Sequence, residues 1–316
     1  MSQPTLHDLH RPLGSTGLLV SPLGLGTVKL GRDQGVKYPS GFQIPDDDDA
    51  RRLLKLTRDL GINLIDTAPA YGRSEERLGP LLRGQRQEWV IVSKVGEEFN
   101  DGQSRHDFTA AHTRMSVERS LKRLKTDRLD LLQLHSCTLE QLRKGDVIEV
   151  VRRARDAGKT RFIGYSGDGP AAVYAVESGA FDTLQISVSV ADQEALDLVL
   201  PAAKKNGLGV IAKRPIANAI WKSPTKPDPY YQAYWERLHK LDYDFLKADM
   251  APAVSTALRF TLAADGVHTA IVGTTQPGRW RENADLLNAG PLGAATVQAI
   301  RDRWKAVAAP DWVGQI

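Results

Sequence analysis

The segment LDLLQLH, Leu129 to His135, is an apolar run that stops on a histidine. Two segments upstream follow the same rule. WVIVSK, Trp89 to Lys94, stops on a lysine, and NLIDTAPAYG, Asn63 to Gly72, passes from an apolar run into Asp66 and then Tyr71. Short runs of this composition predict buried strands. A single polar residue at a strand end carries little information. Four of complementary acid and base type, at the ends of three successive strands, predict convergence on one site.

Outward from these three segments the pattern repeats. Strands are also predicted for PLGLG (22–26), FIGYS (162–166), TLQIS (183–187), GVIAK (209–213) and HTAIV (268–272). Helical patterns separate them at 48–60, 74–82, 109–124, 146–157, 170–178, 196–206, 252–264 and 279–288. Eight strand-and-helix units with near-continuous apolar strands imply a parallel sheet covered on both faces, which the α/β (β/α)8 TIM barrel accommodates most simply; a doubly wound open sheet is the alternative. RPLGSTGLLV, from Arg11, predicts a small N-terminal β-hairpin in front of the first strand.

No low-complexity linker divides the 316 residues, so a single barrel domain is expected. One long irregular insertion, Asn218 to Phe245, follows the seventh strand and is rich in proline and aromatics. Its length predicts a lid or pocket wall; the plainer alternative is a solvent-exposed excursion with its own small helix. The acidic run Asp46 to Asp49 is read as a helix N-terminal cap rather than a metal site.

Composition narrows the function classes. The chain carries 42 basic and 38 acidic residues, interspersed, which argues against a nucleic-acid face despite the net charge of +4. Its one cysteine, Cys137, excludes an internal disulfide and a cysteine-based metal cluster, and fits a reducing compartment. The start lacks the apolar core of a secretory signal, and no stretch has the roughly 18 apolar residues of a membrane span. A cytoplasmic enzyme acting on a small molecule, with no nucleic-acid or membrane partner, is expected. The sequence is silent on oligomeric state.

The four polar residues suit carbonyl reduction, which needs a hydride at carbon and a proton at oxygen. An unperturbed tyrosine, titrating near pH 10, is a sluggish acid. A buried lysine ammonium beside Tyr71 favours the phenolate, and an aspartate paired with that lysine keeps it charged and placed. Asp66, Tyr71 and Lys94 have these roles available, and His135 adds a donor to polarise the carbonyl. Taken singly, each has a plainer role: strand-end cap, packing tyrosine, solvated lysine, core histidine.

At this point the chain resembles the aldo-keto reductase superfamily, from Leu13 to about Asn288. The segments that carry the resemblance are LGSTGLLVSPLGLGT, LGINLIDTAPAYGRSEERLG, VIVSKVG, RLDLLQLH, IGYSG, TLQIS and VGTTQPGRWRENA. It implies an eight-fold barrel that holds an extended nicotinamide cofactor, NADP(H), without a Rossmann domain. Consistently, GLGTVK (24–29) has lysine where a GxGxxG fingerprint needs its third glycine. By position the resemblance makes Asp66, Tyr71, Lys94 and His135 the catalytic four, with Tyr71 as proton donor. It places Gly26, Thr27, Asp66, Ser166, Gln185, Lys213, Arg214, Pro215, Ile216, Ala217, Gly273, Thr274, Arg279, Glu282 and Asn283 on the cofactor, and no metal. Four positions depart from the pattern. Gly167 stands where the family usually has asparagine, Arg214 where it more often has an uncharged residue, and Gly273 where some branches have lysine. Val188 stands where the family stacks an aromatic on the nicotinamide, so the ring is either held less tightly or covered by another aromatic such as Trp221 from the insertion.

The expected activity is NADPH-dependent reduction of an aldehyde or ketone. Two other readings stay open at this stage: a redox-sensing cofactor-binding subunit with weak turnover, and a barrel lyase using Lys94 as a Schiff-base amine. Phe99 to Phe108, the segment after His135, and the aromatics Trp221, Tyr230, Tyr231 and Trp235 are candidate substrate-pocket walls.

Overall fold

A hairpin, β1 (Arg11–Pro12) and β2 (Leu19–Val20), leads into β3 (Leu23–Gly26) in the computed structural model, which describes residues 5–36, 42–100, 102–227 and 229–315, excluding the side chains of 229–231 and 288. The chain then runs through α1 (Val28–Gly31), α2 (Asp47–Asp59), β4 (Leu64–Asp66), α3 (Ser74–Leu81) and β5 (Val90–Val95). A second hairpin, β6 (Glu97–Asn100) and β7 (Gln103–His106), precedes α4 (Ala110–Leu124), β8 (Leu129–His135), α5 (Leu139–Lys144), α6 (Asp146–Asp156) and β9 (Thr160–Ser166). There follow α7 (Gly169–Glu177), β10 (Thr183–Ser187), α8 (Glu194–Leu198), α9 (Leu200–Lys205) and β11 (Gly209–Lys213). The last elements are α10 (Pro229–Leu241), α11 (Met250–Ala263), β12 (Thr269–Val272), α12 (Pro277–Asn288) and α13 (Ala294–Val307).

β3, β4, β5, β8, β9, β10, β11 and β12 close in that order into a parallel barrel, with β12 returning to β3. The expected (β/α)8 barrel with an N-terminal hairpin is therefore what the chain forms. Side chains alternate along each strand. Leu64, Val90, Val92, Leu131 and Ile211 pack together within the barrel. Their outward neighbours, such as Ile65, Ile91, Leu132 and Leu134, join the larger core beneath the helices. Each fully buried side chain of this size stabilises the fold by about 1.5–3 kcal/mol.

The β1–β2 hairpin closes the barrel at the strand N-termini. Leu13, Leu18 and Val20 enter the interior cluster, Ser15 N–H donates to the Gly207 carbonyl at 2.8 Å, and Arg11 Nε to that of His268 at 2.6 Å. That end is plugged, so ligand access falls to the other.

Asp46 caps α2 as expected, its carboxylate accepting from Asp49 N–H at 2.7 Å. Three expectations need correction. The helix at 196–206 is two short helices broken at Val199, near Pro201, whose ring supplies no N–H. The 218–245 insertion is not irregular. It holds a 3-10 turn at Ala217–Lys222 and the thirteen-residue α10, whose Tyr234, Leu238 and Leu241 pack with Phe260, Ile300, Trp304 and Trp312 in a core of their own. The β6–β7 hairpin and α13 lie in stretches with no element expected.

Candidate active site

The residues that fill the barrel also aim the polar ones. Two positions beyond Leu64, Val92 and Ile211, in the same alternating phase, come Asp66, Lys94 and Lys213; His135 lies four beyond Leu131. All of them therefore emerge at the C-terminal mouth of the barrel. Tyr71 arrives on the 3-10 turn Pro69–Tyr71 that follows β4. A loop at this end of a barrel is where such enzymes carry their reactive groups.

Lys94 and Asp66 form the centre. Lys94 Nζ lies 2.7 Å from Asp66 Oδ1, and both side chains are 1% exposed. The ammonium also donates to the Thr67 carbonyl and to the Tyr71 hydroxyl, each at 3.1 Å. The Asp66 carboxylate accepts further from Gln185 Nε2 at 3.0 Å and from the Tyr71 hydroxyl at 3.3 Å. Burial pulls the Lys94 ammonium below its ordinary range, while Asp66 opposes that pull. His135 meets the Tyr71 ring edge-on at 6.2 Å between centroids, and its Nδ1 lies 3.0 Å from Glu97 Oε2. The four sequence-predicted residues are thus brought into one cluster.

A cavity of about 750 Å³ opens beside the cluster. It borders Gly26, Asp66, Tyr71, His135, Ser166, Gln185, Lys213, Arg214, Pro215, Ile216, Gly273, Thr274, Arg279 and Asn283. Three residues assigned to the cofactor do not border it. Thr27 turns inward, its hydroxyl donating to the Asp66 carbonyl at 2.8 Å and accepting from Ser74 at 2.8 Å, so it braces the end of β4 instead. Ala217 is fully buried in the second core, and Glu282 is exposed on α12 away from the cavity. Lys94 is likewise enclosed rather than open to the cavity, and its three donor contacts leave it poorly placed as a Schiff-base amine.

The departures at 167 and 188 have a structural basis. A Cβ on Gly167 would overlap the ring and hydroxyl of Tyr165, whose hydroxyl donates to the Cys137 carbonyl at 2.9 Å. Tyr165 thus fills the space that a side chain at 167 would need. Val188 is buried and does not border the cavity, and neither does Trp221, which packs against the second core. Trp235 packs there too, Phe99 lies beneath the Arg32 guanidinium at 3.5 Å, and the side chains of Tyr230 and Tyr231 fall outside the described residues. Apart from Tyr71, the described aromatic side chain on the cavity is Phe42.

Sequence reasoning missed several cavity residues. Glu97 comes from the β6–β7 hairpin and Lys29 from α1, whereas Ser104, on the same hairpin, lies within the 99–108 wall expected from the sequence. The hairpin had a signal, the Asp101–Gly102 turn dipeptide. Lys213, expected on the cofactor, lies 2.7 Å from Asp168, which also accepts from Ser187 N–H at 2.7 Å. Burial opposes charge on Asp168, but Lys213 and Ser187 outweigh it and hold the carboxyl below its ordinary range.

The residues fit a nicotinamide cofactor. Gln185 Oε1 is buried without a protein partner on a side chain that borders the cavity, an acceptor suited to a carboxamide N–H. Beyond β12, Thr274 and Arg279 border the far end of the cavity beside the N-terminus of α12, where free backbone donors favour anions.

A closed parallel barrel with four clustered ionisable side chains and a cofactor-sized cavity at its C-terminal mouth has the architecture of a barrel enzyme. The comparisons agree. The sequence profile described as Aldo/keto reductase family matches residues 22–305. An aldo-keto reductase structure from Pseudomonas aeruginosa is 44% identical, covering 90% of this chain and 96% of that one, with a TM-score of 0.73. L-galactose dehydrogenase of Arabidopsis thaliana is 31% identical over 289 residues, 86% of each chain. The NADH-specific methylglyoxal reductase of Escherichia coli is 26% identical over 307 residues, 88% of this chain and 93% of that one. The chain belongs to the aldo-keto reductase family.

Proposed function

We propose that the chain reduces a small aldehyde or ketone to an alcohol with NADPH, Tyr71 giving the proton. The observation that carries this reading is the Lys94 ammonium, held by Asp66 at 2.7 Å and in contact with the Tyr71 oxygen at 3.1 Å, at the edge of the cavity. A cation at that distance favours the phenolate left after proton transfer. The Tyr71–Asp66 contact, at 3.3 Å, is long, and a carbonyl oxygen is a better-placed acceptor for the same hydroxyl. His135, edge-on to the Tyr71 ring, would help to orient that oxygen. Gln185 and Ser166 would hold the carboxamide of the nicotinamide, whose reduced ring would supply the hydride when the cofactor is bound.

The preference for NADPH rests on Arg279 and Thr274 at the α12 terminus, joined by Lys29, whose ammonium is lowered by burial and by the charge of Arg279 nearby. Cations grouped on one cavity suit the extra phosphate of NADPH. Cofactor choice varies among relatives, since the E. coli protein is named for NADH. Titrating both reduced cofactors against wild type and Arg279→Ala tests the assignment. NADPH should bind roughly ten-fold or more tighter than NADH, and the variant should lose most of that margin. Equal affinities in wild type would refute it. The lone buried Cys137 supports a cytoplasmic location, and no described helix is long and apolar enough to cross a membrane.

A further inference from the structure

We propose that Glu97, the first residue of β6, is a positioning residue for carbonyl reduction that orients His135 and makes its imidazolium form more accessible, so that the ring can donate a hydrogen bond to the substrate oxygen. The inference rests on the carbonyl-reducing reading above and adds a residue from outside the barrel strands.

The geometry begins at Gly96. Its φ of +103° turns the chain sharply after β5, and a Cβ there would overlap the Phe108 ring. The turn folds the hairpin back over the barrel mouth and sets Glu97 against the end of β8. There Oε2 lies 3.0 Å from His135 Nδ1, with the two side chains 15% and 14% exposed. The pair is not aligned for a hydrogen bond, so the contact is chiefly one of charge. A carboxylate on that side holds the proton on Nδ1. The ring nitrogen left for the cavity is then Nε2, which is a donor only when the ring is protonated and an acceptor when it is neutral.

The surroundings of His135 otherwise oppose protonation. Burial is the largest influence against it, and Lys94 from β5 and Lys213 from β11 add two positive charges; the Tyr71 ring faces it from the turn after β4. Glu97 is the anion that favours the imidazolium. Burial resists ionisation of Glu97 in turn, but His135, the Ser104 hydroxyl and His106 across the hairpin outweigh it and hold the carboxyl below its ordinary range. Burial wins overall and holds the His135 ring below its ordinary range even with Glu97 present. Without this carboxylate the imidazolium would be rarer still, and the neutral ring would present a lone pair to a carbonyl oxygen, which repels it.

Nitrogen-detected NMR of the histidine rings tests the first half of the proposal without cofactor or substrate, the His135 signal being assigned by its loss in His135→Gln. Wild type should show the Nδ1–H tautomer when neutral. In Glu97→Gln, which keeps an oxygen near Nδ1 but removes the charge, the His135 titration midpoint should move to proton concentrations about ten-fold higher or more. Glu97→Asp should restore part of the shift. The second half is read from the pH profile for 4-nitrobenzaldehyde with NADPH. Glu97→Gln should lose about ten-fold or more in kcat/KM at neutral pH, with the NADPH dissociation constant unchanged, and recover as the pH is lowered. An unshifted His135 titration, or a fall in NADPH affinity in step with kcat/KM, would overturn the role of Glu97. A wild type that reduces no carbonyl would instead overturn the reading of the reaction, so the two failures are separate.

Discussion

Lys94 spends its three N–H bonds on Asp66, Thr67 and Tyr71, and the reactivity of the site follows from that arrangement. Lys94→Met should remove the cation beside the phenol and leave Asp66 as a buried charge without its partner. We expect kcat to fall by about 10² or more, and stability by about 3 kcal/mol. Thermal unfolding and steady-state rates check both, and an unchanged kcat would exclude the proposed tuning. Tyr71→Phe deletes only the hydroxyl, so kcat should drop by about 10² or more while NADPH affinity stays near wild type. Wild-type turnover in that variant would remove Tyr71 from the mechanism. Asp66, Lys94 and His135 were legible in the sequence because a polar residue ending an apolar strand has few places to go but the barrel mouth, and Tyr71 because it sits on the short loop that leaves β4 at that same mouth. Glu97 was not, since its position depends on the backbone turn at Gly96 and not on strand alternation.

The hairpin makes that dependence testable at the level of an element. Gly96→Ala must place a side chain both at positive φ and inside the Phe108 ring. The β6–β7 hairpin should shift off the mouth, lowering kcat/KM with a smaller effect on unfolding temperature than an interior barrel substitution has. Wild-type kcat/KM would show that the turn does not govern the site. The insertion at 218–245 has two roles in separate parts. Asn218, Lys222 and Pro224 border the cavity, whereas α10 is bonded into the second core. Excising the helix should therefore destabilise the protein, while substitutions at Asn218 or Lys222 should change substrate or cofactor preference in a folded enzyme, as relative kcat/KM values over a carbonyl panel will show. Barrel strands were readable from apolar runs alone. The insertion was not, because its prolines and aromatics read as a loop, and its helix is stabilised by α11 and α13, distant in sequence.

Across the molecule, the barrel mouth is bordered by a belt of buried charge that runs from Asp168 and Lys213 to Asp192, Tyr234 and Arg237. Asp192 accepts from the Tyr234 hydroxyl at 2.9 Å, and burial, with Asp168 nearby, pushes its carboxyl up to about 7. Above the ordinary carboxyl range the unfolded chain has lost this proton while the folded one keeps it. Stability should then fall as pH rises from about 4 to about 7 and level off beyond. The effect is on the order of 4 kcal/mol. Asp192→Asn keeps an acceptor for Tyr234, so it should flatten that slope and raise the unfolding temperature at alkaline pH; parallel profiles for the two proteins would refute the assignment.

The two faces of the barrel differ in what they tolerate. At the plugged face, Arg11 and Ser15 bond the carbonyls of His268 and Gly207, beside the strand N-termini and away from the cavity. At the open face, Arg237 holds the Val313 carbonyl at 2.8 Å, Arg214 holds that of Gln315, and a Cβ on Gly314 would overlap Asp168. A surface support or affinity handle joined near Arg11 would leave the entrance facing the medium. One joined beside Gln315 would pull on Arg214, a residue of the cavity wall, so the orientation in which this catalyst is anchored should itself decide how well it works.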